Sequence, residues 1–276
     1  MAKGSKLVVA VSDIHCGSAT AMVPPEGVRL DDGGTYQPSK ANSWLWDCWE
    51  EFWTYVGLRK VEAKAALYIV YNGDLFDGDH HRTTQLVSAN PETQDYLADR
   101  IYGVPRELKP KAEFVVRGTE VHVGASGAME ESFARRRRAE KDPDAETHSW
   151  WHLRCELNGV LLDAQHHGRI GTRPWTKTNA VSAAALEIFY EHSKLGRQPP
   201  DIALRSHRHQ YGDSYDVHPV RVIQTPAWQL KTAYAHKVAA NSSEDIGGML
   251  IEIDGDGRYE VEKRLYVREE AAVWRP

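Results

Sequence analysis

Short apolar runs recur along the first half of the chain, and each one stops at a polar motif. They cover residues 7–11, 67–71 and 114–116 and are rich in β-branched and aromatic side chains. Runs of this length and composition predict buried strands of a sheet. Because open α/β sheets hold their sites at the carboxyl ends of the strands, we expect the polar motifs to meet at one edge.

Between the first two runs, apolar positions return every three or four residues, which predicts one face of a helix. The members of this face are Leu45, Cys48, Trp49, Phe52, Trp53 and Val56. Aromatic stripes at helical spacing usually pack against a sheet, so packing is favoured over a base-stacking role for the tryptophans.

The chain becomes more polar after residue 122. Residues 130–140 form a charged, helix-favouring stretch that contains the run Arg135 to Arg138. Four consecutive arginines point to different sides of a helix, so a solvated face and a nucleic-acid contact stay equally open.

Two hairpins and another helix are predicted further along. Asn158-Gly159 between residues 151–157 and 160–164 suits a tight type I′ turn. A helix-like segment, 181–192, precedes an apolar run at 202–204. Residues 254–257 read Asp-Gly-Asp-Gly between two strand-like runs, and without the later ligands of a calcium loop they favour a hairpin turn.

Composition sets broad limits. A chain of 276 residues can bury a substantial core, and ligand motifs spread along most of it favour one domain over residues 1–276. The 34 basic and 39 acidic residues nearly balance, so nucleic acid would have to bind a local patch.

Cysteine usage and hydropathy indicate the compartment. The three cysteines, Cys16, Cys48 and Cys155, are irregularly spaced, which suits thiols that pack as small apolar groups in a reducing environment. Apolar runs fall short of the length of a membrane span. We therefore expect a soluble, cytoplasmic protein with no membrane partner.

Candidate chemistry lies in five short clusters of metal-type ligands. In chain order they are Asp13-x-His15, Gly73-Asp74-x-x-Asp77, Glu120-x-His122, His166-His167 and His207-x-His209. Carboxylates and imidazoles without a thiolate pair suit a hydrolytic site for Mn²⁺, Fe or Zn²⁺. A cation would also resolve the repulsion and desolvation that such a cluster creates on its own.

As a set, these motifs resemble the calcineurin-like metallophosphoesterase superfamily from Asp13 to His209. The chain departs from the usual G-N-H-D or G-N-H-E at residues 118–122, Gly-Thr-Glu-Val-His, and from G-H-x-H at residues 206–209, Ser-His-Arg-His. The G-T-E-x-H variant resembles phosphoesterases of phage and prophage genomes. The resemblance implies an α/β fold, a four-layer α/β/β/α sandwich of two mixed β-sheets flanked by helices.

The resemblance also implies two divalent metal ions, with Mn²⁺ favoured and Zn²⁺, Fe or Ni²⁺ as alternatives. It assigns the ligands as Asp13, His15 and His209 for the first ion, Glu120, His167 and His207 for the second, and Asp74 shared by both. His167 is preferred to His166 because it precedes Gly168, while Thr119 stays open as an alternative to Glu120. Asp77 and His166 are expected to orient ligands.

The same resemblance implies a mechanism in which a hydroxide shared by the two ions attacks phosphorus in line. His122 would protonate the leaving oxygen. Candidate substrate contacts, chosen because they are near the motifs in sequence, are Arg117, Arg169, Arg173, Lys177, His80 and His81.

Three functions remain open from the sequence. A phosphodiesterase or nuclease acting on DNA or RNA is the leading hypothesis. A phosphomonoesterase acting on nucleotides or phosphoproteins would use the same centre. A catalytically retired scaffold or binding protein is the third, because the motif at residues 118–122 is altered.

Overall fold

The computed structural model describes residues 4–80, 83–171, 173–269 and 274. Its strands are Lys6–Val11 (β1), Val28–Arg29 (β2), Thr35–Tyr36 (β3), Ala66–Asn72 (β4), Ala112–Val116 (β5), Ser149–Trp150 (β6), Leu153–Leu157 (β7), Val160–His167 (β8), Ile202–Ser206 (β9), Gly212–Asp213 (β10), Arg221–Gln224 (β11), Ile246–Ile253 (β12) and Tyr259–Tyr266 (β13). Its α-helices are Lys40–Glu62 (α1), Pro91–Arg106 (α2), Glu120–Val123 (α3), Ala128–Arg137 (α4), Lys177–Lys194 (α5) and Ala233–Val238 (α6).

Two mixed sheets carry the fold. The first has the strand order β13-β12-β1-β4-β5-β6, and the second has the order β10-β11-β9-β8-β7. In the first sheet β1, β4, β5 and β6 run parallel, while β12 and β13 pair antiparallel. In the second sheet β8, β9 and β11 run parallel and both edge strands pair antiparallel.

Alternating side chains of β1 show how the layers form. Leu7 and Val9 pack with the helical side chains of α1, α2 and α4, whereas Val8 and Ala10 pack between the two sheets. Helix α5 covers the outer face of the second sheet, where Val181 contacts the core of that face. The predicted α/β/β/α sandwich is confirmed.

Helix α1 follows the predicted apolar face. Ser39 caps it, since the Ser39 hydroxyl accepts a hydrogen bond from the amide of Asn42. Trp49 and Trp53 are fully buried, and Trp49 Nε1 donates to the Ile101 carbonyl over 3.0 Å. The tryptophans therefore pack the core, as predicted.

Both predicted hairpins are confirmed. Asn158 and Gly159 have φ values of 54° and 96°, which the type I′ turn between β7 and β8 requires. Residues 254–257 join β12 to β13. The first hairpin is shorter than predicted, because β7 begins at Leu153 and Trp150 pairs with β5 in the other sheet.

The inter-sheet core draws on strands from both halves of the chain. The prediction of one domain over residues 1–276 stays a prediction. Within the described ranges, the helices are too short or too polar to cross a membrane.

Candidate metal centre

The ligand motifs lie where parallel strands end. Asp13 follows β1, Asp74 follows β4 and His207 follows β9. Backbone pairing continues beyond the strands, because the amides of Asp13 and His15 donate to the carbonyls of Gly73 and Asp74, both over 3.0 Å. The first two motifs are therefore held side by side by main-chain hydrogen bonds.

Five of these residues have left-handed backbone conformations that side chains rarely adopt. Their φ values are 52° at Asp13, 49° at His15, 52° at Asp74, 75° at His207 and 51° at His209. Each such position costs roughly 1–3 kcal/mol and persists only where surrounding structure enforces it, typically at functional sites. The conformation turns these side chains sharply off the strand ends.

One ligand cluster consists of Asp13, His15 and His209, whose donor atoms lie within 4.8 Å of one another. Asp13 Oδ1 and His15 Nε2 are buried and make no hydrogen bond. Unpaired buried polar atoms are expensive, and a divalent cation would satisfy both of these. The donor set therefore fits a metal ion.

Asp77 orients this cluster. Its Oδ1 lies 3.1 Å from His15 Nδ1 and accepts a longer bond of 3.4 Å from Gln229 Nε2. A carboxylate on one imidazole nitrogen leaves the other nitrogen directed at a cation. The structure thus gives Asp77 the geometry of a ligand-orienting residue.

A second cluster consists of Asp74, His166 and His207. His166 Nε2 lies 2.9 Å from Asp74 Oδ2, and His166 Nδ1 lies 2.8 Å from the Asn72 carbonyl oxygen. A carbonyl oxygen can only accept, so Nδ1 carries a proton and Nε2 is the nitrogen available to a cation. His166 is therefore positioned as a ligand.

His167 departs from the expected ligand position. It is exposed, and its Nε2 lies 3.4 Å from the Thr119 hydroxyl. Leu162 and Ala164 face the inter-sheet core, and after a β-bulge between Ala164 and His167 the strand buries His166 and exposes His167. This arrangement depends on the pairing of β8 with β9, and it favours His166 for the assignment that Gly168 suggested for His167.

Glu120 also departs from its expected position. It begins helix α3, and its carboxylate accepts a hydrogen bond from the Ser126 amide over 3.0 Å. Thr119 occupies the cluster instead: its amide and hydroxyl donate to Asp74 over 2.6 and 3.1 Å, and the hydroxyl lies 3.2 Å from His207 Nδ1. The helix start carries the longer side chain away from Asp74.

His122 lies beside the first cluster. Its Nδ1 donates to the Asp77 carbonyl over 3.0 Å, which leaves Nε2 available. Its ring centroid is 4.6 Å from that of His15 and 4.3 Å from that of His80. Burial, followed by the charge of His15, lowers the pKa of His122 to about 4.

Charges in the two clusters oppose burial. Burial alone would raise the pKa of Asp13, but the imidazole of His209 outweighs it and lowers the pKa to about 2. Burial would lower the pKa of His166, yet the carboxylate of Asp74 raises it to about 10. Burial therefore disfavours the charged forms of these acids and imidazoles, while their neighbours favour them. A bound cation would relieve this conflict.

The cationic residues expected to bind substrate are placed elsewhere. Each one contacts a neighbouring side chain, and the structure does not place any of the four among the described residues that line the cavity over the clusters. Their contacts are Arg117 with Ser149 and Trp151, Arg169 with Glu187, Arg173 with Trp175, and Lys177 with Asp245. His80 lines the cavity, and His81 lies outside the described residues.

Sequence reasoning missed Glu130. Its fully buried carboxylate accepts hydrogen bonds from the amides of Leu75 and Gly118 over 3.1 and 2.6 Å, so it joins the loops after β4 and β5. Burial raises its pKa to about 8. The signal was its position on one helix face with Phe133 and Arg137, hidden in a stretch that looked solvated.

The arginine run is also largely structural. Arg137 is buried and bonded to Glu113 over 2.7 Å, while Arg136 pairs with Asp95 on α2. These pairs favour neither a free basic face nor a nucleic-acid contact.

A buried chain of hydroxyl groups fastens the two sheets beneath the centre. Thr225 Oγ1 lies 2.8 Å from Ser12 Oγ and 2.7 Å from Ser206 Oγ, and Asn72 Nδ2 donates to Ser206 Oγ over 2.6 Å. Ser12 follows β1 and Asn72 ends β4 in the first sheet, whereas Ser206 ends β9 of the second. This network fixes the spacing between motifs on different sheets.

Two glycines allow the loops after β4 and β5 to lie close to neighbouring residues of the site. A Cβ atom on Gly118 would lie 2.2 Å from the Asp74 amide nitrogen, and one on Gly73 would lie 2.5 Å from His166 Nδ1. Only glycine fits such contacts. Strand order, layering and motif placement are now established. They agree with the four-layer sandwich that the resemblance to calcineurin-like metallophosphoesterases implies.

Solved structures similar to this chain include a conserved uncharacterized protein, described as a predicted phosphoesterase, from Streptococcus pneumoniae TIGR4. It is 11% identical, with a TM-score of 0.35, and the match covers 95% of this chain and 100% of the other. A hypothetical protein from Pyrococcus horikoshii OT3 is 9% identical, with a TM-score of 0.43 and coverage of 95% and 89%. A dimetal phosphatase from Danio rerio is 8% identical, with a TM-score of 0.41 and coverage of 95% and 99%.

Comparisons of sequence alone give no such likeness. No protein-family model and no curated protein matches the chain. Assignment of chemistry therefore depends on the residues of this chain.

Proposed function

We propose that the protein is a dinuclear metal-dependent phosphoesterase that hydrolyses phosphodiesters. The observation that carries this proposal is the pair of adjacent ligand clusters at one sheet edge, with unpaired buried donor atoms on Asp13 and His15. A cavity of about 680 Å³ opens directly on both clusters.

The residues divide between two ions. Asp13, His15 and His209 would hold the first ion, and His166 and His207 the second, with Asp74 shared. Such ions supply a nucleophile from water at neutral pH and stabilise charge on the phosphate oxygens. Mn²⁺ is the favoured metal, with Zn²⁺, Fe or Ni²⁺ as alternatives.

The surrounding residues have defined roles. Asp77 holds the His15 ring, and Thr119 holds the carboxylate of Asp74. His122 lines the cavity with an unprotonated Nε2, since its pKa is about 4, so it would first take a proton from water in the cavity and then give it to the leaving oxygen.

Charge favours a diester over a monoester. Among the described residues that line the cavity, Arg208 and Lys231 are those with a permanent positive charge, and Lys231 is bonded to backbone carbonyls. A phosphomonoester carries close to two negative charges at neutral pH, whereas a diester carries one. A cavity with few free cations suits the diester, a class that includes DNA and RNA.

Model substrates test the proposal. We expect turnover of bis-p-nitrophenyl phosphate with added Mn²⁺, slower turnover of p-nitrophenyl phosphate, and loss of both with chelator. Faster turnover of the monoester would assign a phosphatase. Inactivity with Mn²⁺, Zn²⁺ and Mg²⁺ would contradict the proposal and leave the retired scaffold.

A further inference from the structure

The cavity over the metal clusters has a second wall that the ligand motifs do not supply. Most of residues 229–244, which include helix α6, line the cavity together with members of the clusters. The wall carries Tyr234 and Val238, whose exposed fractions are 72% and 59%. Large apolar side chains are therefore presented to solvent in the same cavity as the ligand clusters.

This wall is fixed in place at several points. Before α6, the amides of Trp228 and Leu230 donate to the carbonyls of Asp13 and Thr20 over 3.1 and 3.0 Å. At the start of α6, the Ala233 amide donates to Gln85 Oε1 over 2.7 Å.

Lys231 fastens the other end of the wall. Its ammonium group donates to the carbonyls of Ala239, Ala240 and Ser242 over 2.8, 3.0 and 2.5 Å. A lysine on the last carbonyls of a helix stabilises that helix end. Helix α6 is thus held at both ends, which keeps Tyr234 at the cavity.

The wall is poor in groups that bind polyanions. Lys231 is occupied by carbonyls and Glu244 adds a negative charge, while His236 and Lys237 are not among the described residues that line the cavity. Nucleic-acid polymers gain most of their affinity from several phosphates bound by free basic side chains. The remaining lining near α6 is apolar or uncharged, including Leu230, Thr232 and Ser243.

We propose that residues 229–244 form a leaving-group pocket, in which the Tyr234 ring stacks on a flat, uncharged ring such as that of a nucleoside. The inference rests on the proposed phosphodiesterase function and narrows its substrates to compact, ring-bearing diesters. A cavity of about 680 Å³ is of the size that encloses small organic ligands.

In the proposed reaction, the ring that stacks on Tyr234 belongs to the leaving group. Water adds to phosphorus and releases a proton that Nε2 of His122 takes up, the P–O bond to the alcohol breaks, and the alcohol oxygen takes that proton from His122. His122 and Tyr234 line the same cavity, and the proposal assigns the alcohol that takes its proton from His122 to the wall.

The test compares two esters of thymidine 3′-phosphate, one formed with the 5′-hydroxyl of thymidine and one with ethanol. Both release a primary alcohol, but one leaving group carries a ring. We expect the dinucleotide to have a higher kcat/KM by about tenfold, since stacking on an aromatic side chain gives a factor of about 5 to 150. Chromatography of the products identifies the broken bond.

Variants separate stacking from general damage. Tyr234→Ala should lower kcat/KM for the dinucleotide by about tenfold more than for the ethyl ester, while Tyr234→Phe should retain the preference. Tyr190→Ala is the matched control, because Tyr190 is 67% exposed on α5, away from the cavity lining. Saturation-transfer NMR of thymidine with the full chain in chelator should show binding that Tyr234→Ala removes.

Equal loss on both esters, or thymidine binding that survives Tyr234→Ala, would overturn the pocket. A thymidine dodecamer preferred to the dinucleotide by more than about tenfold would instead assign a polymer substrate and overturn it. Failure of the general function is distinguishable, since bis-p-nitrophenyl phosphate would then not be turned over at all.

Discussion

The ligand edge and the α6 wall face one another across the same cavity, yet they are built differently. At the edge, Asp13 and Asp74 are buried, and their backbones are held in left-handed conformations by pairing between strand ends. At the wall, Tyr234 is largely exposed on a short helix that is tied down by Gln85 and Lys231.

We expect this difference to separate residues that serve the reaction from residues that select the substrate. Side chains at the edge cannot move without breaking the packing of two sheets, so they suit chemistry that every substrate needs. Side chains at the wall can change while the sheets stay intact. We therefore expect substitutions at the edge to affect all substrates, and substitutions at the wall to affect only some.

The largest effect is expected from Asp74→Asn. This change removes the carboxylate charge at the position shared by both clusters, so bound metal should fall at both sites and turnover of every substrate should stop. Metal analysis and circular dichroism measure this, with Asp99→Asn on the exposed face of α2 as a matched control. Two retained ions with a near-native rate would remove Asp74 from the shared position.

His122→Ala should be the next largest change, and it should depend on the leaving group. General-acid catalysis typically contributes about 10²- to 10⁴-fold, so an alkyl diester should lose about that much rate. The loss should shrink for p-nitrophenolate, which needs no proton to depart. Loss of bound metal, or equal losses on both substrates, would contradict the role.

His166→Ala and His167→Ala form a matched pair of neighbours. Removing His166 should raise the metal concentration needed for half-maximal activity by at least about tenfold, because even residues that merely orient a ligand contribute that much. Removing the exposed His167 should change it much less. The reverse order would restore the assignment that the sequence favoured.

Glu130→Ala tests what holds the edge together. Two buried amides, those of Leu75 and Gly118, would lose their acceptor, which should lower the free energy of unfolding by about 2–4 kcal/mol. Urea denaturation measures this. Glu140→Ala, an exposed position on the same stretch, should change it little.

Thr119→Val should have a smaller effect than the substitutions above. It removes one hydroxyl bond to Asp74 and keeps the volume, so activity should fall about 2- to 10-fold, the range of a typical hydrogen bond. Glu120→Gln should be milder still, because its carboxylate bonds to the Ser126 amide. A larger effect of Glu120→Gln would return that residue to the second ion.

Much of this arrangement could be predicted from local patterns. Apolar runs predicted the central strands, and the helical stripe with Trp49 predicted α1, because burial imposes those periods on a sequence. Asn158-Gly159 predicted its hairpin since few other pairs tolerate two positive φ values. These features depend on neighbours within a few residues.

The two changed assignments at the metal centre, Thr119 in place of Glu120 and His166 in place of His167, depend on contacts between residues that are distant in sequence. Whether Thr119 or Glu120 faces Asp74 is decided by where α3 begins and by a hydrogen bond across 45 positions. To choose His166 over His167, one must know which of the two faces the core on β8, and only the packed sheets define that core. Glu130 lies in a charged stretch that the sequence indicates to be exposed, whereas in the tertiary structure it is buried against the loops after β4 and β5.

The sequence by itself determined the ligand types, their order and the strands that precede them, because composition and short-range periodicity depend only on residues that are close in sequence. Only the tertiary structure decided which atoms meet. A shift of one residue turns a side chain to the other face of a strand or around a helix, and the cost of that shift is set by the whole packed core.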